Sequence, residues 1–176
     1  MKKSKLTLVC LDGCGKISKN RARKLNYSLL HLQTVINSEE FMEKILNFSW
    51  NNKKQFCDNN GYTNEEIYKI IMEGAEKLLD FVNYEWNLII DIQKTNKWAR
   101  RFMSARAFTY KNTLKMTFRD FYFDKMTVAE IMGVIAHEQM HNLGFGHDYN
   151  RTVRRNYSVP YGVGSIVTDL ARQMGV

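Results

Sequence analysis

Proline is almost absent from this chain: Pro160 is the single one in 176 residues. Cysteine is nearly as scarce, with only Cys10, Cys14 and Cys57. An odd number of thiols, none beyond position 57, excludes a closed disulfide framework around the later part of the chain, and reduced thiols are the reading. No apolar run approaches the roughly 20 residues of a membrane-spanning helix. The start is basic, Met1-Lys2-Lys3-Ser4-Lys5, but the apolar stretch 6–11 is too short for the core of an export signal, and Asp12 ends it. No signal peptide is therefore expected. The expected location is the cytoplasm or a larger particle in which the protein is packaged, with secretion by another route left open. Histidine is scarce too, at four residues, yet three of them fall between positions 137 and 147.

What is present is a folding composition. Hydrophobic residues make up 44% of the chain, enough for a sizeable core and against disorder. One domain, 1–176, is expected, with a sheet and helices over 1–126, a helix and following loop over 127–148, and a C-terminal part over 149–176. The formal net charge is +8. The basic residues come in small groups, including Lys2-Lys3, Lys53-Lys54, Arg100-Arg101 and Arg154-Arg155. These read as solvated surface or as attraction for an acidic partner. No regular stripe of aromatic and basic residues and no nucleic-acid motif accompanies them.

Periodicity and punctuation give the elements. Residues 5–11 read as a strand. Leu25, Leu29, Leu32 and Ile36 recur at helical spacing, so 20–36 is a helix. Ser38 caps a second helix to about 48, and the Asn-rich 50–62 is a loop. Thr63 and Glu66 form a capping box, opening a helix with Ile67, Ile71, Leu78 and Val82 on one face. Residues 86–92 form a buried strand. A basic connection, 94–101, leads to a hairpin of 104–110 and 114–118. Residues 121–123 extend its second strand or form a short further one. Thr127 and Glu130 repeat the capping box and start a helix with Val128, Ile131, Met132, Ile135 and Met140 on its apolar surface. Glycines at 144, 146, 162 and 164 predict a loop-rich stretch before a closing helix over 166–174.

The stretch that carries chemistry is His137-Glu138-Gln139-Met140-His141-Asn142-Leu143-Gly144-Phe145-Gly146-His147. His137 and His141, four apart, share one face of a helix and can reach one ion. Glu138 is placed for a metal-bound water rather than for the metal. Gly144 permits a sharp exit, which returns His147 as a third nitrogen ligand. Three protein ligands leave a fourth position open, the arrangement of a catalytic zinc site.

The spacing H-E-x-x-H-x-x-G-x-x-H resembles the long motif of the metzincin zinc metallopeptidases. The spelling through Asp148 is most similar to the adamalysin branch. The resemblance covers about a dozen residues. It implies an α+β, metzincin-like zincin fold: a mixed twisted sheet over an active-site helix, with extra N-terminal helices and a C-terminal helix. It implies a zinc endopeptidase with His137, His141 and His147 as ligands and Glu138 as general base and acid. Tyr161 would donate to the developing oxyanion or sit near the metal, with Tyr157 as an alternative and a plain aromatic cleft wall as another. Asp148 would orient the loop. The substrate would lie extended along an edge strand, for which 114–118 is the candidate. The chain departs from the family downstream, where Val159 or Pro160 in Tyr157-Ser158-Val159-Pro160-Tyr161-Gly162 stands where metzincins carry a methionine turn. The disulfides of secreted adamalysins are absent as well. Cys14 reads as part of a turn rather than as a zinc-blocking thiol, and His31 as a packing or surface residue. Two further readings stand beside the peptidase: a non-catalytic, zinc-containing structural or packaged binding protein, and a basic nucleic-acid-associated protein.

Overall fold

The computed structural model describes residues 5–12, 17–79, 82–96, 105–110 and 113–176, without the side chains of 10–12. Cys14, the Arg100-Arg101 pair, part of the basic connection and the centre of the hairpin loop lie outside the described residues. The described chain runs β1 (Thr7–Asp12), α1 (Lys19–Ile36), α2 (Glu39–Leu46), α3 (Asn64–Glu73), β2 (Glu85–Gln93), β3 (Ala107–Thr109), β4 (Lys115–Arg119), α4 (Asp120–Lys125), α5 (Val128–Asn142), a 3-10 turn (Arg154–Tyr157) and α6 (Val159–Gln173). It is a mixed α+β fold. No helix among the described residues is long and apolar enough to cross a membrane.

The sheet has the order β1-β2-β4-β3. β1 and β2 are parallel, β2 and β4 are parallel, and β3 returns antiparallel to β4. The strand expected at the edge, 114–118, is therefore interior. β4 is hydrogen-bonded on both sides; among the described residues the three-residue β3 is the edge beside it, and β1 is the opposite edge. Met116 and Phe118 on β4 are fully buried, as a strand flanked by two neighbours requires.

Local signals set most helix starts. Ser18, Ser38, Thr63 and Thr127 each accept a hydrogen bond from the backbone N–H three residues on, and Thr63 and Thr127 do so within complete capping boxes. Ser158 makes no such bond; α6 instead has Pro160 in its first turn. One apolar face of each long helix turns inward, among them Leu25 and Leu32 of α1 and Ile67 and Ile71 of α3. Trp86 of β2 is fully buried and donates its indole N–H to Ile71 O at 3.0 Å.

Three expectations are corrected. The helix opened by Thr63 stops at Gly74, so Leu78 and Val82 lie beyond it, each 47% exposed. Residues 121–123 belong to helix α4, not to a strand. Asp120 begins that helix, and its carboxylate accepts from the backbone N–H of Thr95 (2.8 Å) and Phe121 (2.7 Å). A carboxylate in the first helical turn outweighs the β preference of the aromatic run behind it. The closing helix starts at Val159 rather than at 166. Proline is compatible with the first turn, and Gly162 and Gly164 sit inside the helix because its neighbours leave no room for side chains there.

α5 and α6 approach closely at Gly133 and Gly164. A Cβ on Gly164 would stand 2.8 Å from Gly133 O and 3.2 Å from the Cβ of His137. This close approach brings the start of α6 against the face of α5 that carries the histidines.

Candidate metal centre

α5 is rooted by its capping box at Thr127, and its last turns carry His137, Glu138 and His141. The imidazoles of His137 and His141 lie edge to face with centroids 5.1 Å apart. The helix ends at Leu143, and Gly144, at φ 96°, takes the left-handed conformation that turns the chain away. Gly144 N bonds His141 O and Phe145 N bonds Met140 O, closing the helix end. Phe145 is buried and anchors the loop. His147 then returns to 5.3 Å from His137 and 5.0 Å from His141, centroid to centroid. One ligand atom from each of the three rings lies within 4.8 Å of the others.

The hydrogen bonds behind the rings fix which nitrogens face inward. His141 Nδ1 bonds Phe145 O at 2.9 Å, and His147 Nδ1 bonds Asp148 O at 2.9 Å. A carbonyl only accepts, so both Nδ1 atoms carry the proton and both Nε2 atoms present a lone pair. The Pro160 carbonyl lies near His137 and counters part of the effect of burial on it. Backbone carbonyls behind the ligands are the outer support that metal-binding histidines use.

Electrostatics favour the same state. Burial, with help from the neighbouring His141 and His147, pushes His137 down to about 3. Burial also lowers His141 and His147. Three neutral imidazoles converging from one helix and one loop fit a metal ion: the donors are deprotonated on the inward side and held before any ion arrives.

Glu138 is buried beside this cluster. Burial raises its carboxyl above the ordinary range, and the Thr109 hydroxyl, donating to Oε2 at 2.7 Å, pulls it partly back. It also feels His147. The aromatic ring of Tyr161 stands edge-on to His137 at 4.5 Å and against His147 at 4.8 Å. Tyr157 does not join them: it packs on Trp50 at 4.4 Å and on Phe48 at 6.1 Å. Asp148 contributes its backbone carbonyl and exposes its side chain. The 157–162 stretch forms the end of the 3-10 turn and the first turn of α6, with Val159 and Pro160 both buried.

Sequence reasoning missed four participants. Thr109 on β3 has no local signal at all. The Pro160 carbonyl comes near His137 only because the start of α6 packs on α5. The Gly133–Gly164 contact is visible only once the two helices are packed. Arg155 was one of a basic pair that read as solvated surface or as attraction for an acidic partner, with no role at the histidines. The structure separates that pair: Arg154 pairs with Asp58 at 2.6 Å, while the Arg155 guanidinium lies 4.7 Å over the Tyr161 ring.

Fold and site together define a mixed α+β protein whose three-histidine cluster is able to hold a metal ion. No family model, curated protein or solved structure matches the chain.

Proposed function

We propose that this protein is a zinc-dependent endopeptidase of the metzincin type. The observation that carries the reading is the convergence of three neutral imidazoles with a buried carboxyl, Glu138, one residue along the helix from the first of them. A trio of nitrogen donors, with no fourth ligand beside them among the described residues, suits zinc with an open position. Zinc bound there would act as a Lewis acid on a water and on the scissile carbonyl.

The chain's own residues do the rest. Glu138, its carboxyl raised by burial, accepts a proton from the attacking water and returns it to the leaving amine. Thr109 holds one carboxylate oxygen and leaves the other for that exchange. His141 and His147 are kept in the binding tautomer by the carbonyls behind them, and burial keeps His137 neutral. Tyr161, beside two of the ligands, donates its hydroxyl to the oxyanion that forms as the carbonyl is attacked. The peptide lies extended along the free edge of β3, whose Thr109 already touches Glu138.

The test compares the zinc-loaded protein with its Glu138→Ala variant on a broad peptide library, with cuts mapped by mass spectrometry and metal content measured in parallel. The expected result is equal metal content and cleavage by the wild type alone. Equal cleavage by both proteins overturns the mechanism. Metal uptake without any cleavage assigns the site a structural role instead.

A further inference from the structure

The guanidinium of Arg155 is set at the metal centre without a carboxylate. Its backbone is fixed by three bonds: Arg155 N donates to Thr152 Oγ1 at 3.2 Å, and Arg155 O accepts from Ser158 N at 3.1 Å and from Ser158 Oγ at 2.8 Å. The side chain lies over Tyr161, the ring that touches His137 and His147. Nη1 donates to Tyr149 O at 3.3 Å. Nε is buried with no hydrogen-bond partner. Among the described residues no Asp or Glu pairs with Arg155, whereas its neighbour Arg154 is neutralised by Asp58. A half-buried guanidinium with no carboxylate partner among the described residues is costly unless something anionic completes it.

The position says what that anion accompanies. The Tyr161 ring beneath Arg155 touches both His137 and His147, so the guanidinium stands close to the metal-binding face. Zinc would add two further positive charges. Thr109 already holds one oxygen of Glu138, the buried carboxyl of the centre. The centre is thus built to receive negative charge.

We propose that Arg155 is a substrate-binding residue that receives a carboxylate next to the scissile bond, which makes the protein selective for acidic peptides. The inference rests on the peptidase reading and names its substrate class. The planar fork of a guanidinium meets a carboxylate through two N–H donors, which a point charge does not reproduce. The carboxylate belongs to an Asp or Glu side chain flanking the cut or to the free C-terminus of a short peptide, and both present the same two oxygens.

The experiment has a kinetic and a binding arm. In the first, zinc-loaded wild type, Arg155→Gln, Arg155→Lys and Arg155→Glu are compared on three peptides: one with Asp or Glu beside the cut, the same with Asn or Gln, and the Asn or Gln peptide with an amidated C-terminus. The readout is the ratio of kcat/KM between peptides within each protein. A ratio of about 10-fold or more in favour of the acidic peptide is expected for wild type, from the strength of a charged hydrogen bond. It should fall to near 1 in Arg155→Gln, recover in part in Arg155→Lys and invert in Arg155→Glu. Loss on amidation instead of on Asp→Asn exchange assigns the C-terminal carboxylate.

In the second arm, fluorescence anisotropy measures binding of the same peptides to zinc-loaded Glu138→Ala protein and to that protein carrying Arg155→Gln as well. Tighter binding of the carboxylate peptide, lost with Arg155, upholds the subsite whether or not the wild type cleaves. Equal binding of charged and neutral peptides overturns it. Absence of cleavage in the first arm with carboxylate-selective binding in the second overturns the peptidase reading alone.

Discussion

The Thr109 hydroxyl donates to Oε2 of Glu138 across 2.7 Å, so the edge strand and the helix of the metal centre meet at the carboxyl proposed as the base. The Glu138 carboxyl is pushed up by burial, and this bond is the main influence pulling it down. Thr109→Val removes the donor and keeps the shape. Unchanged zinc content is expected, with kcat/KM lower by about 10-fold and the acidic limb of the pH–rate profile displaced upward. An acidic limb that stays in place would show that Thr109 merely packs.

The helix pair tolerates nothing at Gly164. Gly164→Ala places a methyl 2.8 Å from Gly133 O and 3.2 Å from the His137 Cβ. Overpacking of this kind costs roughly 2 kcal/mol and displaces the first ligand. Urea denaturation should show that loss, and zinc titration should show weaker binding. Gly146→Ala is the control, since a Cβ there meets nothing within 4 Å. Equal stability of the two variants would refute the packing argument.

Behind the metal-binding face, a buried polar chain fixes how α5 is rotated. Glu76 accepts from Asn87 N on β2 at 2.8 Å and from Gln139 Nε2 on α5 at 2.8 Å, and Gln139 Oε1 accepts from Asn142 Nδ2 at 2.9 Å. Asn87 Nδ2 also donates to Glu76 at 3.4 Å, so Glu76→Leu strands three buried donors and is expected to lose about 3 kcal/mol. Glu76→Gln keeps an acceptor oxygen and avoids a carboxyl that burial pushes upward, so it should stay close to wild type at pH 7. The two variants are separated by their denaturation midpoints; equal losses would mean that the network contributes no specific bond.

The metal-free protein should weaken on acidification. His137 is held at about 3 in the fold against an ordinary 6.5, and His141 and His147 are lowered as well. Above the unfolded value both states are neutral, so these groups contribute no pH dependence. Below it the unfolded chain binds protons that the folded chain refuses, and stability falls until the folded values are reached. For His137 alone the slope is about 1.4 kcal/mol per pH unit. Thermal melts in a chelator at pH 7, 6 and 5 should show falling Tm, and His137→Leu should flatten the profile. A flat wild-type profile would contradict the burial of these rings.

What could be read ahead of the structure was local. The capping boxes at Thr63 and Thr127 involve residues three apart, and both form. The 137–147 spacing predicted a shared helix face and a glycine exit, and the three histidines do come together. The misreadings share a cause. Gly162 and Gly164 looked like loop residues because glycine weakens an isolated helix, but here they serve contact with α5 and the aromatic residues beside α6. Phe121-Tyr122-Phe123 looked like a strand until Asp120 is seen bonding the backbone of Thr95, 25 positions away. The hairpin spacing gave two strands but not which one also pairs with β2, so the edge was assigned to 114–118 instead of to β3.

The sequence by itself determined the helix that presents two histidines and the turn that brings a third, because helical periodicity and a left-handed glycine act within a few residues. It determined the overall positive charge as well. Only the tertiary structure decided that Thr109 bonds Glu138, that Tyr161 stands against His137 and His147, and that Arg154 has a carboxylate partner while Arg155 has none among the described residues. Those relationships join residues far apart in the chain, and they depend on a helix contact close enough that no side chain fits at Gly164.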